Sequence, residues 1–226
     1  MKEFYKILQK SQPFRDFSEE NIDFIAKILN LSVTSFPKNS VIFTQGEAVK
    51  HAGILLKGTI IAESVSYSGE RRIIQTHTVG SLFGDVLMSS SDQPTPVSVI
   101  AKEDCKVLFI DFEKLTEGAF IPLCRQVLKN ILGGIAEKFW FLNRKIAYLS
   151  CKSLRSRIAM FLLDMQKKYG SFTFNLDYNR EELSSLLGAN RSALSRELSR
   201  MQSEKIISFY KSSFKIEDIH ALKKCL

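Results

Sequence analysis

Six polar side chains between residues 191 and 200 have types and a spacing that suit one kind of chemistry: Arg191, Ser192, Ser195, Arg196, Ser199 and Arg200. Positions 192, 195, 196 and 199 follow an i, i+3, i+4, i+7 pattern and so share one side of a helix. Short serines let such a face come close to a groove floor. Arginines fork onto guanine O6 and N7 or onto phosphate oxygens. The chemistry is recognition of double-stranded DNA through the major groove. Arg196 is the first candidate for base readout, with Ser192, Ser195 and Ser199 beside it. Arg191 and Arg200 suit phosphates. Asn179 and Arg180 upstream, and Lys211, Ser212 and Ser213 downstream, are the further candidates for backbone contacts.

These residues need a scaffold, and the flanking sequence predicts one. Asn179 reads as an N-cap with Glu182 three residues on, the pattern of a capping box. Leu183, Leu186 and Leu187 form the buried face of that first helix, and Gly188 permits a tight turn. A second helix from Asn190 to Met201 points Ala193, Leu194, Leu198 and Met201 inward. Lys205–Tyr210 and Phe214–Ile216 read as a β-hairpin wing with 211–213 at its tip, and residues 218–224 as a last short helix.

Upstream, Leu128, Leu132, Ile135, Phe139, Leu142, Ile146 and Leu149 are spaced 4, 3, 4, 3, 4, 3. That period predicts a helix from about Pro122 to Leu149 with a seam for a second helix, hence a homodimer. Gly133-Gly134 conflicts with a helix, each glycine costing ~1 kcal/mol; close approach of a partner helix or a ligand is the reason considered. Ser150–Ser153 reads as a hinge. The helix after it runs to Lys168 with Leu154, Ile158, Phe161, Leu162 and Met165 on one face, and Tyr169-Gly170 ends it.

Residues 3–10 and 18–29 read as two short helices. From Leu31 to Asp111, short β-rich runs alternate with turn signals such as Pro37–Asn39, Gln45–Glu47, Tyr67–Glu70 and Val79-Gly80, which indicates an antiparallel sandwich or barrel. The expected domains are a β domain with N-terminal helices over 1–118, a long helix and hinge over 119–150, and a DNA-binding domain over 151–226.

Charge agrees with a polyanionic partner. Of the net +8, residues 150–226 carry most, with 14 Lys and Arg against 8 Asp and Glu. The four cysteines are scattered and the three histidines far apart, so neither a metal nor an iron–sulfur cofactor is signalled. A cupin-type enzyme needs a His/Glu metal cluster on its strands; none is present, and the chain does not read as an enzyme. No run approaches the ~20 apolar residues that span a bilayer, and the start lacks a signal-peptide core. The expected location is the cytoplasm, with no membrane partner.

In order along nearly the whole chain, these features resemble the Crp/Fnr family of regulators. The resemblance rests on Gly46-Glu47, Gly58, Gly69 and Gly80–Asp85, on the long helix, on Arg157-Ile158-Ala159, and on Leu183, Gly188, Arg191, Ser195 and Arg196. It implies an α+β fold with an N-terminal antiparallel double-stranded β-roll (a cupin-like jelly roll), a dimerisation helix and a C-terminal winged helix-turn-helix. It also implies RNA polymerase as a partner and an effector pocket around Leu82, Phe83, Gly84, Asp85, Thr95, Val97, Leu142 and Asn143.

Departures from the family pattern bear on the signal. Cyclic-nucleotide-binding members place Arg-Ser/Thr where this chain has Thr95-Pro96. A buried cyclic phosphate needs a bidentate cation, so cAMP is expected to bind weakly or not at all. The N-terminus lacks the cysteine cluster of the oxygen-sensing branch, and His77 alone does not make a haem site. Another small molecule, or no effector, are the two readings left open. Ser192 replaces a glutamate common in the family, so a different operator is expected. The alternative to a regulator is a ligand-binding β-roll module with a degenerate DNA reader, acting through protein partners.

Overall fold

A computed structural model describes residues 2–66, 68–89 and 93–226. Tyr67, in the turn read at Tyr67–Glu70, lies outside the described residues. The chain forms two compact units, 1–137 and 138–226, divided within one long helix. Among the described residues no helix is long and apolar enough to cross a membrane.

The first unit opens with α1 (Tyr5–Lys10) and α2 (Glu19–Ile28), the latter capped by Ser18, whose side chain accepts from Asn21 N. Then follow β1 (Val33–Phe36), β2 (Val41–Phe43), β3 (His51–Lys57), β4 (Ile60–Val65), β5 (Arg71–His77), β6 (Leu82–Phe83), α3 (Asp85–Met88), β7 (Ser98–Ala101), β8 (Cys105–Asp111) and α4 (Phe112–Glu117). Two antiparallel four-stranded sheets form, ordered β1-β8-β3-β6 and β2-β7-β4-β5. Leu55, Ile60, Phe83, Val99 and Val107 meet in one core, with Phe36, Phe43 and Phe109 packed against it. Ile54, Leu56, Leu108 and Ile110 belong to a second core shared with α1, α2 and α4. The first sheet is therefore covered on both faces. That is why β3 is one unbroken apolar stretch, buried from Ala52 to Leu56, and shows no alternation.

The long helix α5 spans Pro122–Leu149, as its period predicts. Its first half carries a stripe that the seam reading did not assign. Cys124, Val127 and Ile131 are buried in the core of their own unit, and seam residues Leu128 and Ile135 are half-buried against it. Gly134 continues this stripe. A Cβ there would lie 2.9 Å from the Gln12 side chain, and Gln12 Nε2 donates to Asn130 O at 3.0 Å. The reason considered for the glycine pair is thus corrected at Gly134: its own N-terminal segment makes the close approach. A Cβ on Gly133 meets nothing within 4 Å.

In the second unit, α6 (Leu154–Tyr169) starts at a capping box formed by Ser153 and Ser156 and ends at Gly170, which has a left-handed φ of 61°. It is followed by β9 (Thr173–Asn175), α7 (Arg180–Leu186), α8 (Arg191–Ser203), β10 (Ile207–Tyr210), β11 (Ser213–Ile216) and α9 (Ile219–Lys223). The three strands form one antiparallel sheet in the order β10-β11-β9. β9 has no counterpart in the sequence reading; at three residues its exposed–buried–exposed pattern is too short to mark a strand. Tyr148, Phe161, Leu162, Leu187, Leu194, Leu198, Met201 and Phe214 share the core.

Candidate nucleic-acid interface

α7 begins as its sequence dictates. Asn179 Oδ1 accepts from the backbone N–H groups of Glu181 and Glu182, and Glu182 reaches back to accept from Asn179 N at 2.8 Å. Leu183, Leu186 and Leu187 are buried. Gly188 makes the turn at φ 60°, and a Cβ there would stand 2.5 Å from Leu149 at the end of α5. Only glycine suits that conformation and that contact. Arg157 clamps the same turn, its Nη1 donating to Leu187 O at 3.0 Å and to Gly188 O at 3.2 Å.

α8 is capped by Asn190, whose Oδ1 accepts from Ala193 N and from the Ser192 hydroxyl, each at 2.8 Å. Leu194, Leu198 and Met201 are buried and Ala193 is half-buried. Arg191, Ser192, Ser195, Arg196, Ser199 and Arg200 are all exposed on the opposite side. The structure thus brings the six side chains singled out by spacing onto one solvent-facing surface. With its hydroxyl hydrogen given to Asn190, Ser192 presents an acceptor to whatever approaches.

A buttress behind this helix went unread in the sequence. Arg155 Nε donates to Glu197 at 2.6 Å, and its two terminal nitrogens donate to the two oxygens of Glu204 at 2.7 Å each. Glu197 also lies 3.6 Å from Arg200 Nη1. Arg155 therefore ties the middle and the end of α8 to α6. Its hydrogen bonds hold the Glu204 carboxyl below the usual carboxylate range. Arg155 and Glu204 stand 49 residues apart, so no local pattern pairs them.

The wing residues divide. Lys211 and Ser212 are exposed at the tip, and Lys211 has a positive φ of 52°. Ser213 is half-buried and begins β11, paired with Tyr210. Arg180 is half-buried. It donates to Lys211 O at 2.8 Å and lies over the rings of Phe209 and Phe214.

The expected effector residues fall into both units. Leu82 and Phe83 form β6 and are buried, Gly84 caps α3 with φ 74°, and Asp85 begins α3, 4% exposed. Phe83 packs 5.6 Å from Phe43 and 5.9 Å from His77, ring to ring. Thr95 is 1% exposed. Its hydroxyl donates to Val97 O and accepts from Val97 N, while its own N–H donates to Glu47 O. Leu142 and Asn143 are exposed on the second half of α5, where Asn143 donates to Phe139 O. A separate cavity of about 540 Å³ in the second unit is lined by Phe141, Lys145, Tyr178, Ser185 and Leu186 with Asp177, Glu181 and Glu182. Three carboxylates against one lysine make it unsuited to a phosphate ligand. Among the described residues no group of three or more His, Cys, Asp or Glu could hold a metal ion.

Comparison with known proteins gives this geometry its context. Residues 33–118 match the family model of the cyclic nucleotide-binding domain, and residues 156–225 that of the Crp-like helix-turn-helix domain. The chain is 26% identical over 223 residues to the anaerobic regulatory protein of Haemophilus influenzae, covering 96% of this chain and 84% of that one. It is 21% identical over 180 residues to the cAMP-activated global transcriptional regulator CRP of Pasteurella multocida, covering 78% and 85%. The solved catabolite activator protein of Thermus thermophilus shares the fold, with a TM-score of 0.54 at 21% identity over 95% of this chain and 98% of that one. A β-roll whose two sheets close over a phenylalanine-rich core, a long helix and a winged helix-turn-helix with a basic outer face are thus accounted for together: this chain is a member of the Crp/Fnr family of DNA-binding transcription regulators.

Proposed function

We propose that the protein acts as a homodimer that reads a pseudo-palindromic operator with α8, its half-sites about one helical turn apart. The observation that carries this reading is the division of α8, with Leu194, Leu198 and Met201 buried and the Arg/Ser face exposed. Arg196 with Ser192, Ser195 and Ser199 reads bases. Arg191, Arg200, Asn179, Lys211, Ser212 and Ser213 hold the backbone. Dimerisation is supported by α5, where Leu132, Phe139, Leu142 and Ile146 are 54–58% exposed along the heptad spacing. RNA polymerase is the expected protein partner, and the cytoplasm the place of action. Catalysis has no part in this reading.

The signal is an effector other than cAMP, or none. Support comes from Thr95-Pro96, where nucleotide-binding members are expected to carry Arg-Ser/Thr: Thr95 offers no cation and its hydroxyl is engaged with Val97, and Pro96 has neither a hydroxyl nor an N–H. A signal at the roll shifts the pose of the DNA-binding unit about 150–153. Two measurements test these statements. A mobility shift on the gene's own upstream region, at about 50 and 200 mM salt, should show binding that falls steeply with salt; no shift at either concentration sinks the DNA reading. Calorimetry should show no micromolar affinity for cAMP, and micromolar binding would restore a cyclic-nucleotide signal.

A further inference from the structure

Arg180 begins α7, where a basic side chain is expected to face phosphate. Its guanidinium is committed elsewhere. Phe209 and Phe214 are opposite residues on β10 and β11, and their rings stack 5.5 Å apart at 24°. The Arg180 guanidinium carbon lies 5.0 Å from each ring centroid. One terminal nitrogen donates to Lys211 O at 2.8 Å. Beside it, Leu176 N donates to Ser212 O at 2.9 Å. Both carbonyls of the two-residue turn are thereby bound to the body of the unit. The exposed groups of the turn are the Lys211 ammonium, which stands 5.5 Å from the ring of Tyr210, and the Ser212 side chain. Lys211 has a left-handed backbone, a conformation costly to a non-glycine residue that persists only where its surroundings enforce it.

We propose that Arg180 is a positioning residue for the wing: it bolts the tip of the β10–β11 hairpin to the first helix of the helix-turn-helix and acts on DNA through Lys211, without touching a phosphate itself. The chemistry separates this role from a direct contact. A solvent-exposed backbone phosphate of DNA is satisfied by a point charge of suitable reach, lysine included. A site that lays a planar cation over two rings while one N–H meets a carbonyl is not, because an ammonium on a flexible stem does not reproduce the flat stack. Burial lowers the Arg180 pKa, as expected of a guanidinium drawn from water.

The test compares the full-length protein with Arg180→Lys, Arg180→Ala, Lys211→Ala and the Arg180→Ala/Lys211→Ala double variant, by anisotropy on the upstream region and on a random-sequence duplex across a salt series. The expected result is that Arg180→Lys loses as much affinity as Arg180→Ala on both duplexes. Each Arg180 variant lowers the salt slope by about one, as Lys211→Ala does, and the double variant loses no more than the larger single. Wild-type affinity in Arg180→Lys or Arg180→Ala overturns the proposal, as do additive losses in the double variant or a silent Lys211→Ala beside a costly Arg180→Ala. The proposal rests on the DNA-binding reading, and the two fail differently. A wild-type chain that binds neither duplex sinks that reading. Amide hydrogen exchange in the DNA-free protein then still decides for Arg180, since Arg180→Lys should speed exchange at 209–214 and leave α8 protected. Unchanged protection of the wing overturns the proposal.

Discussion

At the scale of single residues, two positions matter most. Arg196 is exposed near the middle of the outer face of α8 and is the side chain proposed to fork onto a guanine. Arg196→Ala should cost ~1–3 kcal/mol on the specific site and much less on random DNA. Equal losses on both, measured by anisotropy, make it a phosphate contact instead. Gly188 tests the turn that presents α8. Gly188→Ala forces a left-handed backbone and puts a Cβ 2.5 Å from the Leu149 side chain. A loss of at least about 1–3 kcal/mol in the second unit is expected from the backbone alone, read by thermal or denaturant unfolding; an unchanged midpoint contradicts the turn described. Both positions were legible in the sequence because their signals are local: a four-residue helical spacing and a glycine between two leucine-rich helices. Arg180, Arg155 and Arg157 were not legible in these roles. Each acts on a partner about 30 to 50 residues away, and nothing in the local sequence ties a charge to a distant carbonyl or ring.

Among the elements, α8 is held as well as presented. Arg155 binds Glu197 and Glu204 from α6, and the Glu204 carboxyl is held low chiefly by its hydrogen bonds with Arg155. A depressed carboxylate contributes stability that is full above its unfolded pKa and lost as the pH falls through the lower folded one. Arg155→Met should therefore lower the melting temperature of the second unit at neutral pH, and the gap to wild type should close well below about pH 4, the ordinary glutamate range. A gap that persists undiminished at pH 2 assigns the effect to packing rather than to the ion pair. The long helix shows where pattern reading stops. Its course to Leu149 was visible as a heptad period from Leu128 on, and its start was marked by Pro122. The stripe through Cys124, Val127 and Ile131 was not, because it is short and has the same 3-4 spacing as the longer run beside it. The roll was legible as short strands and turns, whereas the two-residue β6 is too short for any alternation to register.

For the whole molecule, the proposed seam and DNA affinity are coupled, because two readers on one dimer bind one duplex. Seam residues Leu132, Phe139, Leu142 and Ile146 are exposed in the single chain, where large apolar side chains are costly to leave in water. Phe139→Glu places a charge in the proposed seam and should yield monomers by sedimentation. DNA affinity should drop by about 10²–10⁴-fold as bivalent binding is lost; a Phe139→Glu protein that remains dimeric removes α5 from the interface. Trp140, the only tryptophan, packs 5.7 Å from Phe139 and reports the same event through its emission. The most direct test of the central claim is the stoichiometry and footprint of the complex on a duplex selected from random sequence. The expected result is two chains per duplex and two protected half-sites about 10 base pairs apart, centre to centre. One chain on a single half-site, or no sequence selected at all, contradicts it.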